Sequence, residues 1–181
     1  MPFLMLRELP RFECLLGAAE EYPTLDPTAT EAFLNLLRTG DIVFGAESAF
    51  LAQHNISQGG FTVLMALNRC CEGPSTPAAL ADHAGVTRAT MTGLLDTLEK
   101  EGIVRRGADT QDRRTVLVSL TDAGRSLVER LLPEYFAHVA KLMHPLDGKE
   151  RKQLVTLLQK IQHGLAVETL DSPAVAAAAN A

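Results

Sequence analysis

"TPAALADHAGVTRATMTGLLDTLEKEGIVRRGADTQDRRTVLVSLTDAG", Thr76 to Gly124, is the stretch whose local signals decide the fold. Thr76 followed by Pro77 reads as a helix start, because a threonine hydroxyl satisfies a free backbone N–H of the first turn and proline's fixed φ suits the first helical position. The short helix "PAALADHA" closes at Gly85, the residue type that takes the left-handed conformation at a helix end. Thr87 caps the next helix almost at once. That helix, "RATMTGLLDTLEKE", repeats Met91, Leu94, Leu95 and Leu98 at three- and four-residue steps, so one face is buried, and it ends at Gly102. "IVRRG" and "TVLVSL" are β-branched and roughly alternating, which predicts two short strands joined by the polar loop "ADTQDRR". The product is a hairpin with an arginine-rich tip.

Long helices flank this core. Thr28 and Glu31 have capping-box spacing and open a helix that runs to about His54, with Gly40 and Gly45 as possible bends. Ser57 caps the following helix, Ile56 and Phe61 sit as a hydrophobic staple, and "CEGPST" ends it. On the far side Thr121 caps a helix reaching about Met143, with a kink expected at Pro133. Asp147 caps the last one, where Leu154, Leu157, Leu158, Ile161 and Leu165 form one apolar stripe. The tail "SPAVAAAANA" has nothing to pack against and is expected to be disordered.

The 181 residues suffice for a buried core without disulfides or metals. Cys14, Cys70 and Cys71 are odd in number and two are adjacent, so no secreted-type disulfide framework is expected, and a reducing cytoplasm is the simpler setting. Arg7, Glu8, Arg11 and Glu13 interrupt the apolar start, which argues against a signal peptide. No run reaches the roughly 20 apolar residues of a membrane span. The formal net charge of −5 argues against indiscriminate coating of nucleic acid. Charge is nonetheless local: Arg105, Arg106, Arg113 and Arg114 stand against only Asp109 and Asp112 in the hairpin loop region. Such a cluster suits a small contact site.

Two short helices joined by a tight turn at a glycine form a helix-turn-helix, whose second helix enters the major groove of DNA. Ala81 is small where the helices touch, Val86 plugs the gap and Met91 faces back. Thr87, Arg88, Ala89, Thr90, Thr92 and Gly93 are then left facing outward at the amino end of the second helix. Threonine hydroxyls and methyls suit phosphates and base edges, and the helix terminus itself attracts phosphate. A β-ribbon directly after that helix makes the unit a winged helix, with tip arginines placed for the narrow minor groove.

The quoted stretch, with its D-x-R wing motif and closing L-T-x-x-G, resembles the winged-helix core of MarR-type transcriptional regulators. The resemblance extends over about Ala46 to Leu165. It implies a mainly α fold with a small β-hairpin wing, in which the winged helix-turn-helix core is flanked by N- and C-terminal dimerisation helices. The expected organisation is an N-terminal segment and first dimerisation helix over 1–56, a DNA-binding domain over 57–120, C-terminal dimerisation helices over 121–168 and a tail over 169–181. The resemblance further implies a homodimer on a double-stranded, pseudo-palindromic operator. Arg114 would reach the minor groove, Asp112 would orient it, and Arg113 would lie on the phosphate backbone. Thr87, Arg88, Thr90 and Thr92 would serve the major groove. Gly93 and Thr97 stand where many relatives carry arginine, so a gentler salt dependence than that of arginine-rich members is expected.

Release of DNA by a small aromatic or phenolic effector is also implied, with Phe61, Thr62 and Met65 as candidate pocket residues. An extra N-terminal helix within "FLMLRELPRFECLLGAAEEY" resembles the purine-sensing branch. The chain has no tryptophan, however, and Thr62 stands where that branch carries an aspartate, which speaks against urate sensing. A cysteine-based redox regulator and a winged helix that binds protein rather than DNA are the alternative readings. An enzyme is not expected. The five histidines lack metal-ligand spacing, with His138 and His144 read as solvated, and neither a nucleophile elbow nor a glycine-rich phosphate loop is present. The reading needs no cofactor, metal or membrane.

Overall fold

The computed structural model describes residues 8–69, 74–109, 112 and 114–171. In chain order these form α1 (Phe12–Glu21), α2 (Pro27–Gln53), α3 (Gln58–Arg69), α4 (Pro77–Ala84), α5 (Arg88–Lys100), β1 (Val104–Ala108), β2 (Val116–Leu120), α6 (Asp122–Leu142) and α7 (Gly148–Asp171). The fold is mainly helical with one antiparallel hairpin, as the sequence predicts. One compact unit runs up to Glu134, and a second begins at Tyr135.

Local chemistry accounts for most helix boundaries. Ser57 Oγ accepts the Gly60 N–H at 3.0 Å, Thr76 Oγ1 accepts that of Ala79 at 3.2 Å, and Thr87 Oγ1 accepts that of Thr90 at 3.2 Å. Gly85 caps α4 at φ 64°, ψ 33°, a conformation that a side chain would oppose. Asp147 and Glu150 form a reciprocal capping box at the start of α7.

The start of α2 differs from the expected Thr28–Glu31 box. Asp26 is the cap, its Oδ1 accepting the N–H groups of Thr28 and Ala29 at 2.9 and 3.1 Å. Pro27, which has no N–H to satisfy, takes the first helical position, so the helix begins earlier than the threonine suggests. These bonds hold the Asp26 carboxyl below its ordinary pKa, the Thr28 side chain contributing most. The helix α6 continues through Pro133. His138, expected to be solvated, is half-buried, whereas His144 is exposed. The amino-terminal helix is shorter than the segment proposed for it, because Pro10 precedes the first turn.

The core of the first unit gathers Leu51 from α2, Val63 and Leu64 from α3, Leu80 and Ala81 from α4, and Met91, Leu95 and Leu98 from α5. Val104 and Val118 of the hairpin and Val128 and Leu131 of α6 complete it. The strands pair Val104 with Leu120 and Arg106 with Val118, and Ser75 bridges onto Val118 as a short third partner. The L-T-x-x-G motif locks the hairpin to α6. Thr121 Oγ1 donates toward the carbonyls of Gly102 and Ile103 at 2.6 and 3.1 Å, and accepts the Gly124 N–H at 3.0 Å. A Cβ on Gly124 would collide with the Ile103 carbonyl oxygen, so only glycine allows this approach.

In the second unit α7 exposes Leu154, Val155, Leu157, Ile161 and Leu165. Leu158 is half-buried. The stripe read from the sequence is therefore real and lies open in the single chain. The helix α7 continues through Asp171, three residues into the expected tail, and residues 172–181 lie outside those described.

Candidate nucleic-acid interface

The second helix of the helix-turn-helix, α5, is divided by its own periodicity. Met91, Leu95 and Leu98 are buried, while Thr87, Arg88, Ala89, Thr90, Thr92 and Gly93 are exposed, as expected. The threonines do not dangle. Thr92 Oγ1 donates to the Arg88 carbonyl at 2.9 Å, which spends its proton and leaves lone pairs and a methyl group facing outward. In that state Thr92 is an acceptor, suited to the amino groups of adenine or cytosine in the major groove. The Thr87 and Thr90 hydroxyls lie 2.9 Å apart, one donating to the other, so one hydroxyl proton of the pair stays free for a partner.

A shallow cleft of about 330 Å³ connects this helix to its neighbours; Thr76, Pro77, Ala78, Arg88, Thr92, Thr115 and Val116 line it. The amino end of α4, the exposed side of α5 and the root of β2 thus border one recess. Its lining is mostly apolar, with the Thr76, Thr92 and Thr115 hydroxyls and the Arg88 guanidinium as the polar groups, of which the guanidinium suits an anionic partner.

Asp112 and Arg114 are exposed at the hairpin tip. The Asp112 carboxylate accepts the Arg114 backbone N–H at 3.0 Å and the Thr115 hydroxyl at 3.3 Å. It shapes the tip through the main chain, from which the Arg114 side chain projects. Arg113 lies outside the described residues. Arg105 Nε donates to Ser119 Oγ across the hairpin at 3.2 Å.

The sequence groups Arg106 with the tip cations, yet its side chain turns toward α5. It reaches Asp96 Oδ1 and Glu99 Oε2 on α5, each at 2.7 Å. Desolvation opposes the charged guanidinium, but the hydrogen bonds and charges of Asp96 and Glu99 outweigh it and raise its pKa. The missed signal was a pair of carboxylates three residues apart on the helix that precedes the strand. Alternation along β1 sends Arg105 and Arg106 to opposite faces.

Of the candidate effector residues, Phe61 is buried in the core, Met65 is half-buried, and Thr62 is exposed with its hydroxyl donating to the Gln58 carbonyl at 3.0 Å. A separate, mostly apolar cleft of about 450 Å³ lies where α2, α3 and α5 meet, and includes Ile56, Leu94, Leu98, Thr97 and Glu101. Cys14 is exposed, and Cys70 and Cys71 lie outside the described residues. Among the described residues no group of histidine, cysteine and carboxylate side chains could hold a metal, and no helix is long and apolar enough to cross a membrane.

Comparison with known proteins converges on one family. The model described as "MarR family" matches residues 56–116. An HTH-type transcriptional repressor of Bacillus subtilis, YetL, is 31% identical over 162 residues, spanning 90% of this chain and 97% of its own length. A crystal structure of the Staphylococcus aureus MepR–DNA complex superposes with a TM-score of 0.63 at 25% identity, covering 74% of this chain and 96% of that one. CouR from Rhodococcus jostii bound to p-coumaroyl-CoA gives 0.62 at 26%, covering 74% and 92%.

Proposed function

The chain belongs to the MarR family and is a DNA-binding transcriptional regulator, and from that premise we propose that it is a cytoplasmic homodimeric repressor released from a pseudo-palindromic operator by a small effector. One α5 serves each half-site, with Thr87, Arg88, Thr90 and Thr92 in the major groove. Arg114 enters the adjoining minor groove from a tip shaped by Asp112, and Arg113 lies on the phosphate backbone. The observation that carries this reading is the shared recess of α4, α5 and β2, which places the threonine-edged helix beside the hairpin on one surface.

Dimerisation draws support from the exposed apolar side chains of α7, which a second copy would cover. Effector release draws support from the apolar cleft beside Leu94 and Leu98. Its occupant would press on the recognition helix itself, and CouR shows that a relative accepts an aromatic acyl ligand. A small aromatic or phenolic compound fits the apolar lining.

The test is retention on a gel of duplex fragments selected by the parent protein from its host genome. Arg114→Ala should abolish retention while sedimentation still reports a dimer. Unchanged retention would favour a winged helix that binds protein.

A further inference from the structure

We propose that Arg106 is a positioning residue for duplex recognition: it clamps the hairpin to α5 and so fixes the angle between wing and recognition helix, without touching the nucleic acid. The inference rests on the operator reading above and adds to it the device that sets the geometry.

Four bonds converge on this residue. Its Nη2 reaches Asp96 Oδ1 at 2.7 Å and the Thr92 carbonyl at 3.4 Å. Its Nη1 reaches Glu99 Oε2 at 2.7 Å, and its backbone N–H donates to the other oxygen of the same carboxylate at 3.0 Å. Glu99 therefore grips the strand by main chain and side chain together. Thr92, Asp96 and Glu99 recur at i, i+4 and i+7, so the guanidinium spans two turns along one face of α5. In the register Arg106 pairs with Val118, which is fully buried. The clamp thus holds the hairpin at its middle, between the root that is already fixed by the core and the tip.

The charges make little sense otherwise. Asp96 and Glu99 repel one another at three-residue spacing on a helix. They also weaken attraction between a nucleic-acid reader and a polyanion. Both costs are offset when one rigid guanidinium fork neutralises the pair, a task that a lysine's point charge performs less well. Only 26% of the Arg106 side chain is exposed, so it is poorly placed to meet phosphate.

A reversal of sign separates positioning from plain electrostatics. Asp96→Asn and Glu99→Gln each remove a negative charge from a nucleic-acid-facing element, which by charge alone strengthens binding. The clamp predicts weakening by roughly fivefold in each. Affinity is measured by fluorescence anisotropy on a duplex selected by the parent, with Arg106→Met and Arg106→Lys alongside; lysine should recover part of what methionine loses. Wing freedom is measured on the full chain, its cysteines replaced, with nitroxides at Lys100 and Ala108. The distance distribution should be narrow in the parent and broaden in Asp96→Asn and Glu99→Gln. Equal or tighter binding by these variants, or a distribution that stays narrow, overturns the proposal. A parent that retains no duplex refutes the operator reading instead, which keeps the two failures apart.

Discussion

Gly124→Ala isolates the contact by which the hairpin is fastened to α6. Near a helix start, replacing glycine by alanine ordinarily stabilises by about 0.5–1 kcal/mol, through chain entropy and propensity. Here the new methyl would meet the Ile103 carbonyl oxygen. That oxygen cannot yield freely, because it accepts the Thr121 N–H at 3.0 Å and the Thr121 hydroxyl at 3.1 Å. Relief requires α6 to back away from the turn that leads into β1. A methyl carbon forced onto a backbone oxygen belongs to the upper part of the overpacking range, about 2–3 kcal/mol, which outweighs the propensity gain and leaves a net loss of roughly 1–2.5 kcal/mol. At about 2–4 °C per kcal/mol for a chain of this size, Tm should fall by roughly 2–10 °C. Gly93→Ala is the matched control, since a Cβ there meets open space within the helix α5. It should raise Tm. Thermal unfolding at fixed protein concentration reads both variants, with concentration held because association shifts apparent stability. A Gly124→Ala variant as stable as Gly93→Ala would refute the close approach on which the L-T-x-x-G reading depends.

Three further outcomes follow from the same structure. Gly93→Arg restores a cation to the exposed side of α5 and should steepen the dependence of log affinity on log salt by about 0.9, measured by anisotropy across a salt series. Asp26→Ala should lower Tm at neutral pH, where the depressed carboxyl pKa makes the capped state the stabilised one. That contribution is lost as pH falls through the folded-state pKa, so parent and variant melting curves should converge in acid. Paired Leu157→Glu and Ile161→Glu substitutions on the exposed stripe of α7 should convert the proposed dimer to monomer in sedimentation while leaving far-UV circular dichroism intact, and a parent that sediments as monomer would remove the stripe's proposed role.

Local grammar made much of this fold legible. The caps Ser57, Thr76, Thr87 and Asp147 each answer a free N–H within three residues, and the left-handed Gly85 follows from its place after a short helix. Periodicity separated the buried Met91, Leu95 and Leu98 from the exposed threonines for the same reason. Choices between two adequate local partners were harder to read. Asp26 and Thr28 both suit a cap, and Pro27 decided between them. Long-range geometry was not legible. Arg105 and Arg106 are chemically identical neighbours, and only strand alternation with the position of α5 sends one outward and the other to Asp96 and Glu99. The D-x-R spacing pairs Asp112 with Arg114, and that the carboxylate meets the Arg114 backbone N–H depends on the tip's conformation.

On the proposed operator, α5 and the hairpin tip address adjoining grooves of one duplex. Chemical footprinting of the selected operator reads both grooves at once. Guanine N7 protection should mark the major groove at two centres about one helical turn apart, with minor-groove protection beside each; Arg114→Ala, footprinted at protein concentrations high enough to restore occupancy, should keep the N7 protection and lose the minor-groove signal. Minor-groove protection that persists in that variant, or N7 protection without any minor-groove signal in the parent, would contradict the claim.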